Sequence, residues 1–407
     1  MTRTLLSNAR IFDGTGAPIS DGDVVIEDGR IVEVGSGLDG DEAHDLAGRA
    51  LLPGFFDCHT HVAVSNIDLF GIIQKPFSLH FFEAAHNLKA TLDAGITSVR
   101  DAGGADLGIK TAVEKGLIPG PQMQISLTML SQTGGHGDGW LPSGQHLRLF
   151  TEHPGLPSGI VDGLDEVRRK VREVVRMGAD VIKVATSGGV LSPRDDPRHA
   201  HFTLEELEVL VQTARTLGVW VMAHAQAYDG IKNAVRAGIR SIDHGIYLDD
   251  EAIEMMLARG TFLVPTLVAP TGVIKAADAG MSIPETSLRK AKEVIEIHRA
   301  SFAKAVSAGV KVAMGTDSGV TPHGENLDEL VLMAAGGMSP EEALLATTRN
   351  AAECLDVADD RGTIEAGKRA DLVVVDGDPL DLAGLRHSIA GVFKDGRVVS
   401  GSIGATV

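Results

Sequence analysis

Apolar and polar positions follow different rhythms along this chain. The first fifty or so residues alternate with a period of two: LLSNARIF, DVVIEDGRIVEVG and HDLAGRALLPG are broken by Asp-Gly and Gly turns. That period puts alternate side chains on one face of an extended backbone, so short strands are predicted there. The far end has the same texture. ADLVVVDGDP and GVFKDGRVVSG carry Asp-Gly pairs at Asp376-Gly377 and Asp395-Gly396, which favour tight hairpins. Two β-rich ends around a long middle predict one small β-sandwich built from residues 1–53 and 361–407. Separate sheets at the two ends are the alternative.

The middle, residues 54–360, changes rhythm. Apolar runs recur in the order LLPGFFDCHTH, GITSVRDAG, QMQISLTML, ADVIKVATSGG, VWVMAHAQA, SIDHGIY, TFLVPTLVA and VKVAMGTDSG. Between them, segments such as LDEVRRKVREVVRMG and LEELEVLVQTARTLG place apolar residues at helical spacing. Eight strand–helix repeats predict an α/β fold, a (β/α)8 TIM-type barrel, with a doubly wound open sheet as the alternative. Two stretches, from Ser131 to about Asp162 and from about Pro270 to Thr286, read as long loops that shape substrate access.

Composition narrows the function classes. The chain has 407 residues, which suits one large barrel plus a smaller unit, with 43% hydrophobic and 23% charged residues. No apolar run is long enough for a membrane span. The start, MTRTLLSNARIFDG, lacks the apolar run and cleavage site of a signal peptide, so a cytoplasmic location is expected. Two cysteines, Cys58 and Cys354, are too few for a disulfide framework or a Cys-rich zinc site. A net charge of −18 argues against nucleic acid or anionic membrane as a partner. The expected partner is a small molecule, and a homo-oligomeric assembly is expected.

Polar residues sit where the predicted barrel strands end, the face on which such barrels carry their active sites. The first strand ends in His59-Thr60-His61, whose two imidazoles share one face. Lys183 lies inside the apolar run VIKVA, where an unpaired ammonium is costly. His224, His244 and Asp317 end the fifth, sixth and eighth strands. Imidazole and carboxylate suit Zn²⁺ and similar cations, whereas a free ammonium does not. A lysine fits such a cluster once CO₂ has added to its neutral amine, because the resulting carbamate is an anion with two oxygens. Burial and neighbouring cations favour that neutral amine.

The set HTH, the fourth-strand lysine, single histidines on strands five and six, and GTDSG on strand eight resembles the binuclear amidohydrolase superfamily. The resemblance extends over nearly the whole chain, including RGTIEAGKRADLVVVDGDP near the end. It implies two divalent metals, zinc foremost. His59 and His61 would hold the more buried ion, and His224 and His244 the more exposed one. Carboxylated Lys183 and a hydroxide would bridge them. Asp317 would bind the buried ion and move the proton from the attacking hydroxide to the leaving group.

Within the superfamily, mononuclear deaminases place a Glu near the strand-five histidine. Here that neighbourhood reads MAHAQAYDG, without Glu. SQTGGHGD, HAQAYDGIKNAVRAGIRSIDHG and GTDSGVTPHGEN resemble instead the prolidase-like, Xaa-dipeptidase branch. Its members release a C-terminal amino acid from dipeptides or N-acyl amino acids, and it includes hydrolases of ochratoxin-type amides. A cyclic-amide, lactone or other ester hydrolase on the same site, or a non-catalytic barrel scaffold, are the competing readings.

The branch directs attention to four more residues. His136 in GGHGD would polarise the scissile carbonyl, or else order its loop. Tyr228 would hold the substrate carboxylate or oxyanion, or else cap the strand-five end as a core aromatic. Arg194 and His323, in loops after strands four and eight, are candidate carboxylate contacts. The released amino acid is expected to be chosen by loops 131–162 and 187–202. Arg194, Asp195, Asp196 and Arg198 would suit a charged side chain, and PFSLHFF from Pro76 an apolar one.

Overall fold

A computed structural model of the chain describes residues 2–147, 149–192 and 194–403. Five strands open the chain: β1 (Thr4–Ile11), β2 (Ser20–Glu27), β3 (Arg30–Gly35), β4 (Glu42–Asp45) and β5 (Ala50–Pro53). The barrel region supplies β6 (Phe55–Thr60), β7 (Ile96–Asp101), β8 (Gln122–Ile125), β9 (Met129–Leu130), β10 (Val181–Ala185), β11 (Trp220–Ala225), β12 (Ser241–His244) and β13 (Phe262–Val264). The chain closes with β14 (Leu372–Val375), β15 (Ile389–Lys394) and β16 (Arg397–Gly401).

The two chain ends share one sheet of eight strands, in the order β16-β15-β14-β5-β1-β2-β3 with β4 on β1. Their junction is the antiparallel pair β5–β14, in register from Ala50 opposite Val375 to Pro53 opposite Leu372. The alternating pattern decides this: Leu6, Val24, Ile31, Leu51, Leu372 and Phe393 turn inward into one apolar cluster. The last four residues of the expected C-terminal unit lie outside the described residues. Backbone bonds tie this sheet to the barrel, as where Gly54 N–H donates to Asp371 O at 2.7 Å.

The barrel strands are parallel and run as two ladders, β6-β7-β8 and β9-β10-β11-β12-β13. Segment 310–318 lies between their outer edges. It pairs Val312 with Leu263 of β13 and Ser318 with Thr60 of β6. The expected eighth strand therefore occupies its place as isolated bridges rather than a continuous ladder. The third predicted strand is split into β8 and β9, because Leu127 between them takes φ +63°. β10 is buried at all five positions, as parallel strands covered on both faces are. The covering helices follow the predicted spacing. Leu164–Arg176 turns Val167, Val171 and Val174 inward, and Leu204–Thr216 starts with a capping box of Thr203 and Glu206.

One expected loop is helical. Residues 270–286 lie largely within helices Val268–Asp278 and Glu285–Ser307. Pro270 occupies the first turn, where a missing N–H costs nothing, so it starts a helix here rather than a loop. The other long connection, after Ser131, is irregular up to the helix that begins at Leu164, as expected. Among the described residues no helix is long and apolar enough to cross a membrane.

The start of helix Val268–Asp278 is held by a buried carboxyl group. Glu329 accepts the backbone N–H groups of Leu267 at 2.7 Å and Val268 at 2.8 Å. Burial pushes its carboxyl up to about 8, against the pull of those two donors. Glu329→Gln offers one acceptor oxygen in place of two, and is expected to lower stability by about 1–3 kcal/mol at pH 6. The folded-state value lies above the unfolded one of about 4.3, so this carboxyl's contribution is full below that pH and is lost as pH rises through about 8. Urea unfolding at pH 5, 7 and 9 should show the gap between wild type and Glu329→Gln narrowing upward. A widening gap would refute the assignment.

Candidate metal centre

Three histidines at the strand ends have Nδ1 occupied from outside, which turns Nε2 inward. His59, 1% exposed, donates Nδ1–H to Asp243 Oδ2 at 2.7 Å. His61 donates Nδ1–H to Gly103 O at 2.8 Å. His244 Nδ1 lies 2.7 Å from Thr266 Oγ1, whose own hydroxyl donates to Pro265 O, so the imidazole is again the donor. Outer groups of this kind set tautomer and ring direction. Nε2 of His59 and Nε2 of His61 then face Asp317 Oδ1 at 3.5 and 3.2 Å. One ligand atom each from His59, His244 and Asp317 lie within 4.8 Å of one another. Three acceptors aimed at one point suit a divalent cation.

Lys183 reaches the same place from the middle of β10. Its Nζ donates to His59 Nε2 at 3.3 Å and lies 3.8 Å from Asp243 Oδ2. Burial brings its ammonium down to about 8, against the raising effect of Asp243 and Asp317. His224 differs from the other histidines. Its Nε2 lies 3.1 Å from Gly188 O, and its ring meets that of His244 at 4.6 Å between centroids. Burial and surrounding positive groups hold both His224 and His244 well below the ordinary imidazole range. At Asp317, burial is outweighed by the His61 hydrogen bond and the neighbouring imidazoles, which keep the carboxylate ionised.

The backbone at these positions is unusual. His244, Thr266 and Asp317 have φ of 75°, 52° and 60°, the left-handed region that non-glycine residues seldom enter. Such strain needs surrounding structure to hold it. Buried Asp57 supplies part of that structure by accepting His59 N–H, Thr316 N–H, the Thr316 hydroxyl and Asn326 Nδ2, which lock the first strand to the eighth. Asp101 accepts Val62, Gly103 and Ala105 N–H and so shapes the loop that presents the Gly103 carbonyl. Burial raises both carboxyls to about 6 despite these donors.

The residues that sequence reasoning missed are Asp243, Arg100, Asp57 and Asp101. Arg100, 2% exposed, donates to Cys58 O at 2.7 Å and to both oxygens of Asp243 at 3.3 Å. A signal was present: SVRD and SIDH put charges inside apolar strands, as VIKVA does for Lys183. Cys58 and Cys354 are both free and buried.

An apolar cavity opens above the six residues. Ile67, Leu149, Phe150, Leu156, Val190 and Ile246 are among its walls, and His136 lines it as well. His136 stacks on His224 with ring centroids 4.1 Å apart. The other three candidates stand away from its walls. Tyr228 is 47% exposed at the first position of helix Tyr228–Ala237, with its ring 5.6 Å from Lys232 Nζ. The helix begins at that residue and carries the ring outward, so it is not a core aromatic. His323 is tied by Nε2–H to Val64 O at 2.8 Å, and burial brings it to about 4. Arg194 lies over the exposed Trp140 ring at 5.2 Å. PFSLHFF does not line the cavity either: Phe77, Leu79 and Phe82 stand exposed, and Leu149, Phe150 and Leu156 of the loop after Ser131 supply part of the apolar wall.

Residues 50–407 match the model of the Amidohydrolase family. The chain belongs to the amidohydrolase family. This amidohydrolase is 33% identical to the ochratoxinase of Aspergillus niger, over 98% of the present chain and 87% of that protein. It is similar to the crystal structure of a Xaa-Pro dipeptidase with bound methionine, with TM-score 0.89 and 32% identity over 98% of this chain and 100% of the other. A prolidase complexed with N-methylphosphonate-L-proline gives TM-score 0.90 and 36% identity, again over 98% and 100%. These likenesses give the amidohydrolase a TIM-barrel-type fold, place it in the prolidase-like branch and make it a hydrolase of amide bonds. The family generally uses divalent metals, and the convergent acceptors described above fit one.

Asp243→Asn should weaken metal retention by about 10–100-fold, because the His59 imidazole loses the carboxylate that fixes it. Chelator competition on folded protein reads this directly. Retention equal to wild type would show that His59 is oriented without Asp243.

Proposed function

We propose that the chain is a binuclear metal hydrolase that releases a C-terminal amino acid from a dipeptide or an N-acyl amino acid, ochratoxin-type amides included. One observation carries the reading: His59, His61, Lys183, His224, His244 and Asp317, far apart in the sequence, all line one cavity. The similarity to ochratoxinase and to prolidase structures supports the amide class.

His59 and His61 would hold one ion, His224 and His244 a second, and carboxylated Lys183 would join the two, with Zn²⁺ the preferred metal. Lys183 supports this assignment because its lowered ammonium leaves more neutral amine to take up CO₂. Divalent ions held there supply a water of lowered pKa and a polarised amide carbonyl. Asp317, kept ionised and beside His61 Nε2, accepts the proton of the attacking water and returns it to the leaving nitrogen. His136, which lines the cavity, would meet the scissile carbonyl. The apolar walls favour a substrate with an apolar portion, and they exclude water around the scissile bond.

Protein expressed with zinc should contain close to two metal equivalents per chain, and Lys183→Ala should lose both activity and part of that metal. Short carboxylic acids should partly restore the alanine variant by standing in for the carbamate. Reproducible metal content near zero in active protein, or full activity in Lys183→Ala, rules the bridged pair out.

Substrate class is tested by comparing kcat/KM for an N-acyl amino acid and its C-terminal amide. The free acid should be strongly preferred, because the proposed substrate class ends in a free carboxylate and a site fitted to that group loses its match when it is an amide. Asp317→Asn should slow the preferred substrate by about 10²–10⁴-fold while the protein stays folded. Equal rates for acid and amide would move the assignment to a cyclic-amide, lactone or ester hydrolase.

A further inference from the structure

The loop after β10 is held from behind by a buried lysine. Lys290, on helix Glu285–Ser307, donates to the carbonyls of Gly189 at 2.7 Å, Ser192 at 2.6 Å and Asp195 at 2.9 Å, and to Asp195 Oδ1 at 3.3 Å. The side chains of Lys290 and Asp195 are 7% and 2% exposed. One turn earlier on that helix, Ser287 Oγ donates to Leu191 O at 2.9 Å. An ammonium buried against three carbonyls and a carboxylate is fully satisfied, so it rigidifies the loop rather than strains it.

What this clamp presents is the Asp195 carboxylate. Asp195 accepts Gly189 N–H at 3.0 Å and the Ser192 hydroxyl, and its Oδ2 lies 3.1 Å from His136 Nδ1. Burial raises its carboxyl, but His136, Ser192 and Lys290 outweigh that and hold it at about 2. Ser192 Oγ also lies 2.8 Å from His136 Nδ1. Its hydroxyl proton goes to Asp195, so toward the imidazole it is an acceptor. Two acceptors therefore meet Nδ1, and the proton must sit on Nδ1. His136 Nε2 hydrogen-bonds to no described residue and is left to the cavity that His136 lines. The packing leaves the ring no freedom: it stacks on His224, and a Cβ at Gly189 would lie 2.2 Å from His136 Cε1.

We infer that Asp195 and Lys290 are positioning residues for His136, a buried Lys290–Asp195–His136 chain that fixes the imidazole as the Nδ1–H tautomer with Nε2 aimed at the substrate. The inference rests on the reading of His136 under the proposed function. It also sharpens that reading: with Nδ1–H given to Asp195, Nε2 is the ring atom left to meet the substrate. Donation to the carbonyl oxygen requires the doubly protonated ring paired with Asp195. Sequence position gave no hint of this, since His136, Asp195 and Lys290 come from three separate segments.

The test uses full-length, metal-loaded protein. The chain has 15 histidines, so ¹⁵N-histidine labelling with a His136→Gln difference spectrum isolates the relevant ring. Wild type should show Nδ1 protonated. Asp195→Asn should shift that ring toward the Nε2–H form, keep its metal content and lose activity by about 10–100-fold, mostly in kcat. In a His136→Gln background the same substitution should cost little more, because it acts through a ring no longer present. An unprotonated Nδ1 in wild type overturns the inference without any variant. So does metal loss in Asp195→Asn, or a loss that multiplies with that of His136→Gln. Should no amide be hydrolysed at all, the proposed function fails, while the ring spectrum and metal content still decide the positioning chain.

Discussion

The whole site leans on one buried carboxylate. Asp243 is fully buried, and an ionised group there is tolerable only when its charge and lone pairs are met. Arg100 supplies the charge, Ser241 Oγ a hydrogen bond at 2.8 Å, and His59 its Nδ1–H. These groups overcome the burial penalty and keep Asp243 ionised. The consequence runs outward in steps. An ionised Asp243 fixes the His59 tautomer, His59 Nε2 then faces Lys183 and Asp317, and Lys183 is drawn into the centre of the barrel.

The other buried acids work differently. Asp57 and Asp101 meet neutral N–H and O–H donors, most of them backbone, and their task is to hold chain segments in place. Asp57 stitches the first strand to a segment that has almost no ladder of its own. This explains how the eighth strand position can carry Asp317 with φ of 60° while forming only isolated bridges. Regular strand pairing there would place the carboxylate elsewhere.

Around this rigid floor the cavity walls come from long connections, and the polarity of those walls separates the tasks. The floor has histidines, a lysine and an aspartate; the sides are mostly leucine, valine, isoleucine and phenylalanine, with a few polar groups such as His136, Glu152 and Gln226. A low-polarity wall strengthens every charge interaction on the floor. The likeness to ochratoxinase and to prolidase structures extends over 98% of the chain.

The repeating apolar runs were enough to predict the barrel, because a period of two or of 3.6 is a local property that any window of sequence displays. The spacing of His59 and His61 and the charge inside VIKVA were legible for the same reason, since an extended chain dictates which side chains share a face. Tertiary structure decided the rest. Tyr228 lies four residues after His224, yet the helix that begins at Tyr228 turns it to solvent, and only the helix start settles that direction. Pro270 reads as a breaker until its place in a first turn is known. Asp243 is next to His244 in sequence, but its partners Arg100 and His59 lie 143 and 184 positions away. Closing the barrel brings them together, and a pairing made only by closure leaves no periodic trace in the chain.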